Sequence, residues 1–122
     1  MEHVIQYRSE PRATDAERVF EIAEATGFFN REELQIAREL VEERLARGES
    51  SGYYFVFAEI DGRLVGYSCY GPIPATQWSY DLYWIVVHPD FQRQGLGRKI
   101  LERTENMIAS SGGRRIYVDT ST

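Results

Sequence analysis

The sequence lacks the residues that would cross-link the chain or hold it in a membrane. Its single cysteine, Cys69, cannot form an internal disulfide or build a zinc site alone, and no other metal-ligand cluster is apparent. No apolar run approaches the roughly 20 residues that span a bilayer. Residues 1–4 lack the basic and apolar segments that begin a signal peptide. These absences predict a cytoplasmic protein.

Positive charge is also scarce. Nineteen acidic residues against 14 basic ones give a net charge of −5. A chain with this balance is not expected to bind nucleic acid or an anionic membrane. Most of the acids lie in the first half, whereas the second half is slightly basic. The acidic half favours a cationic ligand, or it reflects only glutamate-rich, solvated helix faces.

The composition is that of one folded domain spanning residues 1–122. Hydrophobic residues make up 43% and charged residues 27% of the 122 positions. These values exclude disordered, collagen-like and coiled-coil chains. No internal repeat or linker divides the sequence.

Two helices are predicted in the first half, after a short strand at residues 3–8. Thr14 followed by Glu17 has the spacing of a capping box, and Asn30 followed by Glu33 repeats it. Apolar residues recur at helical spacing after each cap. The glycines expected to end the two helices are Gly27 and Gly48.

The second half has the alternation and β-branched composition of strands. Asp61-Gly62 is typical of a type I′ hairpin turn. Residues 71–74 are expected to break the chain, and a third helix is predicted to begin near Leu96. The predicted strands are residues 53–60, 63–70, 77–87 and 114–120. The order β-α-α-β-β-β-α-β predicts an α/β (α+β) fold with a mixed, mostly antiparallel central sheet flanked by helices.

The loop at residues 88–97 gives the strongest chemical signal. It joins a strand to an amphipathic helix, and its two glycines let a ligand approach the backbone closely. The first turn of a helix leaves N–H groups without partners and carries a positive partial charge. Arg93, Arg98 and Lys99 add cations where they are unfavourable for the helix itself. The turn therefore predicts a bound anion, for which pyrophosphate is suited.

Two common phosphate-binding loops do not fit this stretch. The sequence has no Gly-Lys pair for a Walker loop, and Ile100 occupies the third small position of the dinucleotide fingerprint. Instead, Gln92-Arg93-Gln94-Gly95-Leu96-Gly97, preceded by Val86-Val87-His88-Pro89, resembles the signature of the GNAT superfamily of acyl-CoA-dependent N-acyltransferases. The predicted element order is similar to that family over nearly the whole chain. The alternative is an ordinary glycine-rich turn.

The resemblance implies acetyl-CoA as the acyl donor. Backbone N–H groups of the loop would hold its pyrophosphate, from residues Gln92, Arg93, Gln94, Gly95, Leu96, Gly97 and Arg98. The backbone of the preceding strand, at Ile85, Val86 and Val87, would pair with the pantetheine arm. A bulge there would free an N–H to polarise the thioester carbonyl.

The candidate catalytic residues are Asp81 and Tyr83. An amine acceptor begins protonated, with a pKa near ~10.4 for a lysine-like amine, and a carboxylate can take its proton directly or through water. Several members of the family place a glutamate six residues before the lead-in valine, and here that count reaches Asp81. Its shorter side chain favours a bridging water. Tyr83 shares its face and would line the acceptor groove, or it packs in the core. The alternative is that Asp81 lies at the solvated end of the strand.

Other residues have weaker functional signals. Phe28 and Phe29 lie in a connection that borders the acceptor site in this family, or they form a hydrophobic staple for the next helix. Cys69 is expected in the core, and His88 is expected to be a loop residue.

The family normally continues past its fifth strand with a helix and two more strands, a region that commonly supplies a tyrosine as general acid. This chain stops at Thr122. It is therefore expected to be C-terminally incomplete, either as a fragment or as a chain that another chain completes. An open fifth strand is prone to pairing, which predicts a homodimer through this edge.

The sequence thus predicts an N-acetyltransferase that moves an acetyl group from acetyl-CoA to a primary amine of a small molecule or peptide. One alternative is a non-catalytic acyl-CoA-binding or regulatory domain. Another is a structural interaction module, which the glycine-containing loop and its basic cluster make less attractive.

Overall fold

The described chain forms five strands and three helices. The computed structural model describes residues 4–74, 76, 78–113 and 115–118, with the backbone alone for 117 and 118. The strands are β1 (Gln6–Arg8), β2 (Tyr54–Ile60), β3 (Arg63–Pro72), β4 (Ser79–Val87) and β5 (Arg115–Val118). The helices are α1 (Asp15–Thr26), α2 (Arg31–Arg47) and α3 (Leu96–Ser110). Short 3₁₀ helices lie at Gly48–Ser51 and Pro89–Phe91. This order confirms the predicted one.

The strands form one sheet in the order β1-β2-β3-β4-β5. The first four strands are antiparallel neighbours, whereas β5 lies parallel to β4 after the α3 crossover. The predicted mixed, mostly antiparallel sheet is therefore confirmed. Among the described strands β5 lies at one edge, and the homodimer through that edge remains a prediction.

Helices cover both faces of the sheet and bury two hydrophobic clusters. Helices α1 and α2 pack on one face, where the sheet contributes Phe55, Phe57, Tyr67, Cys69 and Val86. Helix α3 packs on the other face, where the sheet contributes Val56, Val65, Tyr70 and Leu82. Successive strand residues point to opposite faces, so each strand supplies both clusters. None of the described helices has the length and hydropathy needed to cross a membrane.

Two local predictions are confirmed in detail. Asp61 and Gly62 have φ values of 52° and 78°, as a type I′ turn requires at both central positions. The Asn30 side chain accepts a hydrogen bond from the Glu33 amide at 2.8 Å, and the Glu33 carboxylate accepts one from the Asn30 amide at 2.9 Å. This is the predicted capping box of α2.

The predicted capping box of α1 is wrong. Thr14 has helical backbone angles and its side chain makes no capping hydrogen bond. The next residue, Asp15, accepts a hydrogen bond from the Arg12 amide at 2.6 Å and a bidentate pair from Arg8. A charged partner on β1 therefore fixes the start of α1, and spacing within the helix could not reveal that partner.

Some strand limits also differ from the predictions. The break expected at residues 71–74 is wrong at its start, because Gly71 and Pro72 pair with Asp81 and Tyr80 at the end of β3. Proline is tolerated at such a terminal position since few ladder bonds follow it. The predicted limits at His3, Gln77, Arg114 and Thr120 lie outside the described residues.

Cys69 lies in the core, as predicted, with none of its surface exposed. Burial raises the pKa of its thiol above the ordinary value, so the reactive thiolate is suppressed at neutral and mildly alkaline pH. We expect the native protein to show no fast-reacting thiol toward Ellman's reagent at pH 8, and one thiol per chain in denaturant. Rapid stoichiometric labelling of the native protein would contradict this placement.

Candidate active site

The described part of β5 pairs with the first half of β4. The described pairs with β5 run from Ser79–Arg115 to Leu82–Val118. Beyond that point, the described ladder joins Ile85, Val86 and Val87 to β3 alone. No described strand pairs with the opposite edge of this stretch, which is where an extended ligand would add as a further strand.

A bulge lies in β4, but two residues before the predicted stretch. Trp84 pairs with Cys69 and Leu82 with Tyr70, so Tyr83 is the extra residue. Leu82 and Ile85 consequently both pack on the α3 side, although strict alternation would place them on opposite faces. The bulge expected at residues 85–87 is thus found at Tyr83.

The connection from β4 to α3 folds back on the end of the strand. The His88 ring accepts a hydrogen bond from the Asp90 amide, and the Gln92 side chain donates one to the Val87 carbonyl at 3.0 Å. Gly95 has φ 78° at the N-cap of α3. Arg93 also has a positive φ, 65°, which is unfavourable for a residue with a Cβ. These angles turn the chain so that the loop backbone faces outward.

Six consecutive backbone amides, from Arg93 to Arg98, donate to no acceptor among the described residues. The first backbone bond of α3 is donated by Lys99, to the Gly95 carbonyl at 3.1 Å. Leu96 is buried and anchors the turn, while the flanking loop residues are exposed. The row begins one residue later than predicted, because the Gln92 amide donates to the Pro89 carbonyl at 3.3 Å.

Three cations surround this row of amides. Arg93, Arg98 and Lys99 are exposed, and none of them forms an ion pair with another described residue. Together with the positive end of α3 they provide an electrostatic site for an anion. The loop is therefore accessible and unpartnered, as the sequence predicts.

An open cleft of about 780 Å³ adjoins the loop. One wall is formed by Ile85, Val86, Val87 and Gln92, all of them predicted cofactor-binding residues. The opposite wall comes from the end of α1, the α1–α2 connection and the start of α2, through Thr26, Phe28, Phe29 and Glu33. Its volume is within the range of small-molecule sites.

The two predicted catalytic residues lie further back along β4. Asp81 is half-buried, and its carboxylate makes no hydrogen bond or ion pair with another described residue. Tyr83 is 38% exposed and packs edge-to-face on Tyr53, with ring centroids 5.8 Å apart. Burial raises the pKa of Tyr83, and the nearby Asp81 carboxylate raises it further. The structure thus brings these two residues together, but neither is among the described residues that line the cleft.

The two phenylalanines of the α1–α2 connection differ in their surroundings. Phe29 packs against the core and meets the Trp84 ring at 5.5 Å between centroids. Phe28 is 82% exposed at the cleft. Phe29 therefore ties this wall to β4, while Phe28 presents a free aromatic surface. His88 caps the 3₁₀ turn and is a loop residue, as predicted.

Sequence reasoning missed Glu33 as a cleft residue. It recognised this glutamate only as a helix cap, a role that the structure confirms. The available signal was its position in the first turn of α2, close behind Phe29, which places it beside the same connection.

Comparison with known proteins gives a family and a fold. A model of the acetyltransferase (GNAT) family matches residues 16–122. A solved structure from Desulfovibrio desulfuricans, assigned to the GNAT family of acetyltransferases, superposes with a TM-score of 0.94 at 44% identity. The match covers 96% of this chain and 74% of that one. No curated protein matches the sequence.

More distant structures share the fold and contain the expected cofactor. A GNAT acetyltransferase from Brucella melitensis in complex with acetyl-CoA gives a TM-score of 0.73 at 20% identity, over 99% of this chain and 79% of that one. An aminoglycoside N-acetyltransferase in complex with CoA gives 0.73 at 16% identity, over 99% and 80%. These complexes agree with the acyl donor predicted from the sequence.

Proposed function

The chain belongs to the acetyltransferase (GNAT) family, and we propose that it transfers an acetyl group from acetyl-CoA to a primary amine of a small molecule or peptide. When bound, acetyl-CoA supplies an activated acyl group as a thioester. The protein's own contribution is to hold that donor, align an amine beside it and remove the proton from the amine.

One observation carries the proposal: the six unpartnered amides from Arg93 to Arg98 at the start of α3. A row of N–H donors with a helix dipole behind it fits a pyrophosphate. The edge of β4 at Ile85–Val87, with which no described strand pairs, leads away from this row along the cleft, in the direction an extended pantetheine chain would follow. The residues present therefore fit an acyl-CoA.

Asp81 and Tyr83 are assigned to proton handling. The Asp81 carboxylate has no competing partner in the described structure, so it is available to accept the amine proton, with a water bridging to the cleft. Because the pKa of Tyr83 is raised, its hydroxyl remains protonated at neutral pH and can donate a hydrogen bond. An N–H freed by the bulge at Tyr83 is a candidate to polarise the thioester carbonyl.

Two measurements test this proposal. CoA is expected to raise the Tm of the protein, by an amount that grows with the logarithm of its concentration above Kd, because a ligand bound only by the folded state stabilises that state. Release of the CoA thiol in the presence of a panel of amines then distinguishes an enzyme from a non-catalytic acyl-CoA-binding domain. If CoA leaves the Tm unchanged, both the enzyme and the non-catalytic acyl-CoA-binding domain are rejected.

Gly97→Ala provides a sharper test of the phosphate site. A Cβ at Gly97 would meet only the Val87 side chain, at an ordinary contact distance of 3.7 Å. Replacing a helical glycine by alanine should therefore stabilise the free protein by about 0.5–1 kcal/mol. The same methyl group would stand where a phosphate must approach the backbone, so we expect the affinity for CoA to fall about tenfold or more. Denaturant unfolding and calorimetric titration with CoA measure the two effects.

Glu105→Ala is the matched control, since it also improves helix propensity at an exposed position of α3 but lies away from the loop. It should leave CoA binding unchanged. If Gly97→Ala binds CoA as tightly as the unmodified protein, the phosphate site lies elsewhere.

A further inference from the structure

The cleft beside the proposed cofactor edge holds a single charge. Among the described residues that line it, Glu33 is the only ionisable one, and the rest are apolar, aromatic or neutral. One oxygen of its carboxylate accepts the Asn30 amide at 2.9 Å. No described cation pairs with it, so one negative charge faces a mostly apolar cleft. The capping hydrogen bond and the N-terminal end of α2 hold this charge at the cleft, where its second oxygen accepts no hydrogen bond from a described residue.

The two ends of the site therefore have opposite signs. Arg93, Arg98 and Lys99 surround the free amides at the α3 end, while the α1–α2 wall opposite Ile85–Val87 carries only Glu33. An anionic group and a cationic group would be attracted to different ends. Complementary potentials of this kind select and orient ligands.

Phe28 adds a second recognition element next to that charge. Its ring is 82% exposed, although its backbone is held by a hydrogen bond from its amide to the Thr26 hydroxyl at 3.3 Å. That hydroxyl in turn donates to the Ala23 carbonyl at 2.6 Å. An exposed aromatic ring that lines the same cleft as a carboxylate is suited to an ammonium group, through an ion pair and a cation–π contact.

Glu33 is not the carboxylate assigned to proton removal. That role belongs to Asp81, which lies on β4 and not on the cleft lining. The capping hydrogen bond fixes the orientation of the Glu33 carboxylate. It is therefore better suited to bind an ammonium group that stays charged than to take a proton from the reacting amine. Two separated carboxylates therefore match two separate amino groups.

We propose that Glu33 and Phe28 form a specificity site for the acceptor, which carries a second, non-reacting ammonium group in addition to the amine that is acetylated. This inference rests on the proposed function and names its substrate class as a diamine or longer polyamine with an apolar spacer. The acidic first half of the sequence, for which a cationic ligand was one of the two interpretations, fits this assignment.

The test compares 1,5-diaminopentane with n-pentylamine, which has the same carbon chain but one amino group. We expect the diamine to have the higher kcat/KM. Glu33→Gln should raise KM for the diamine about tenfold, as expected when a charged hydrogen-bond partner is lost. It should leave kcat and the KM for pentylamine and acetyl-CoA unchanged. Glutamine keeps the capping interaction, because its carbonyl oxygen can still accept the Asn30 amide.

Glu32→Gln is the matched control: it removes the same charge from the same helical turn at an exposed position outside the cleft lining. Equal kcat/KM for the two amines, or an equal effect of Glu33→Gln on both, overturns the proposal. Calorimetric titration of the diamine into the CoA-loaded protein distinguishes failure of this specificity site from failure of the proposed function. If diamine binding depends on Glu33 but no amine is acetylated, the specificity site stands and the assigned reaction fails.

Discussion

Asp81→Asn is expected to lower kcat by about 10²–10⁴-fold while leaving the Tm and the CoA affinity essentially unchanged. The reacting amine reaches the cleft mostly protonated, and only its neutral form is a nucleophile. The Asp81 carboxylate makes no hydrogen bond or ion pair with any described residue, so its loss should not destabilise the fold. Steady-state thiol release, thermal unfolding and CoA titration measure these three quantities.

The pH dependence identifies the defect as one of proton removal. As the pH rises toward the amine pKa, more acceptor arrives already neutral, and the deficit of the variant should shrink. Asp81→Glu, which keeps the carboxylate and lengthens its reach by one methylene group, should retain kcat to within about tenfold. Glu42→Gln, at an exposed position of α2, should have no effect. A rate deficit that stays constant with pH would assign Asp81 a structural role.

Where the determinant is local, the sequence predicts the structure closely. The Asp61-Gly62 turn follows from two adjacent positions that need positive φ. The Asn30–Glu33 box follows from groups three residues apart. The free amides at α3 belong to the same class, because the start of any helix leaves its first N–H groups unpaired. The loop turns them outward, largely at Gly95 and Arg93.

Where the determinant is another part of the chain, sequence reasoning fails. The Thr14 box is absent because Arg8, on a different element, holds Asp15. The position of the bulge depends on how β3 and β4 align, and Gly71 helps to set it. A Cβ at Gly71 would lie within 3.2 Å of the Tyr83 hydroxyl and would clash with the Gly52 carbonyl. Neither the alignment of β3 with β4 nor the close approach at Gly71 can be predicted from residue spacing along β4.

The candidate site shows the same division. The row of unpartnered amides lies within one contiguous stretch, so its position could be predicted from the sequence, and its role as a phosphate site stays a prediction. The cleft is assembled from that stretch and the α1–α2 connection, some fifty residues earlier in the sequence. Glu33 becomes a candidate specificity residue only when the fold brings these two segments together.

Asp15→Ala is expected to reduce the free energy of unfolding by about 3 kcal/mol or more, as for other broken buried ion pairs. Asp15 is 1% exposed, and its two carboxylate oxygens accept hydrogen bonds from two guanidinium nitrogens of Arg8, each at 2.7 Å. The substitution would leave the partly buried Arg8 with Glu59, at 3.1 Å, as its remaining described carboxylate partner, and would orphan the Arg12 amide. Urea unfolding should show a lower midpoint with an unchanged m-value.

The control is Glu21→Ala on the same helix, whose ion pair with Arg18 is solvent-exposed on both sides. Exposed pairs contribute at most about 1 kcal/mol, so this variant should unfold close to the unmodified protein. Asp15→Asn should be intermediate, because its amide oxygen can still accept the Arg12 amide but cannot receive both Arg8 nitrogens. Equal stability of Asp15→Ala and Glu21→Ala would mean that the buried cluster does not anchor α1.

Since α1 positions Thr26 and Phe28 at the cleft, a destabilised anchor should also weaken discrimination between the diamine and the monoamine before CoA binding is lost.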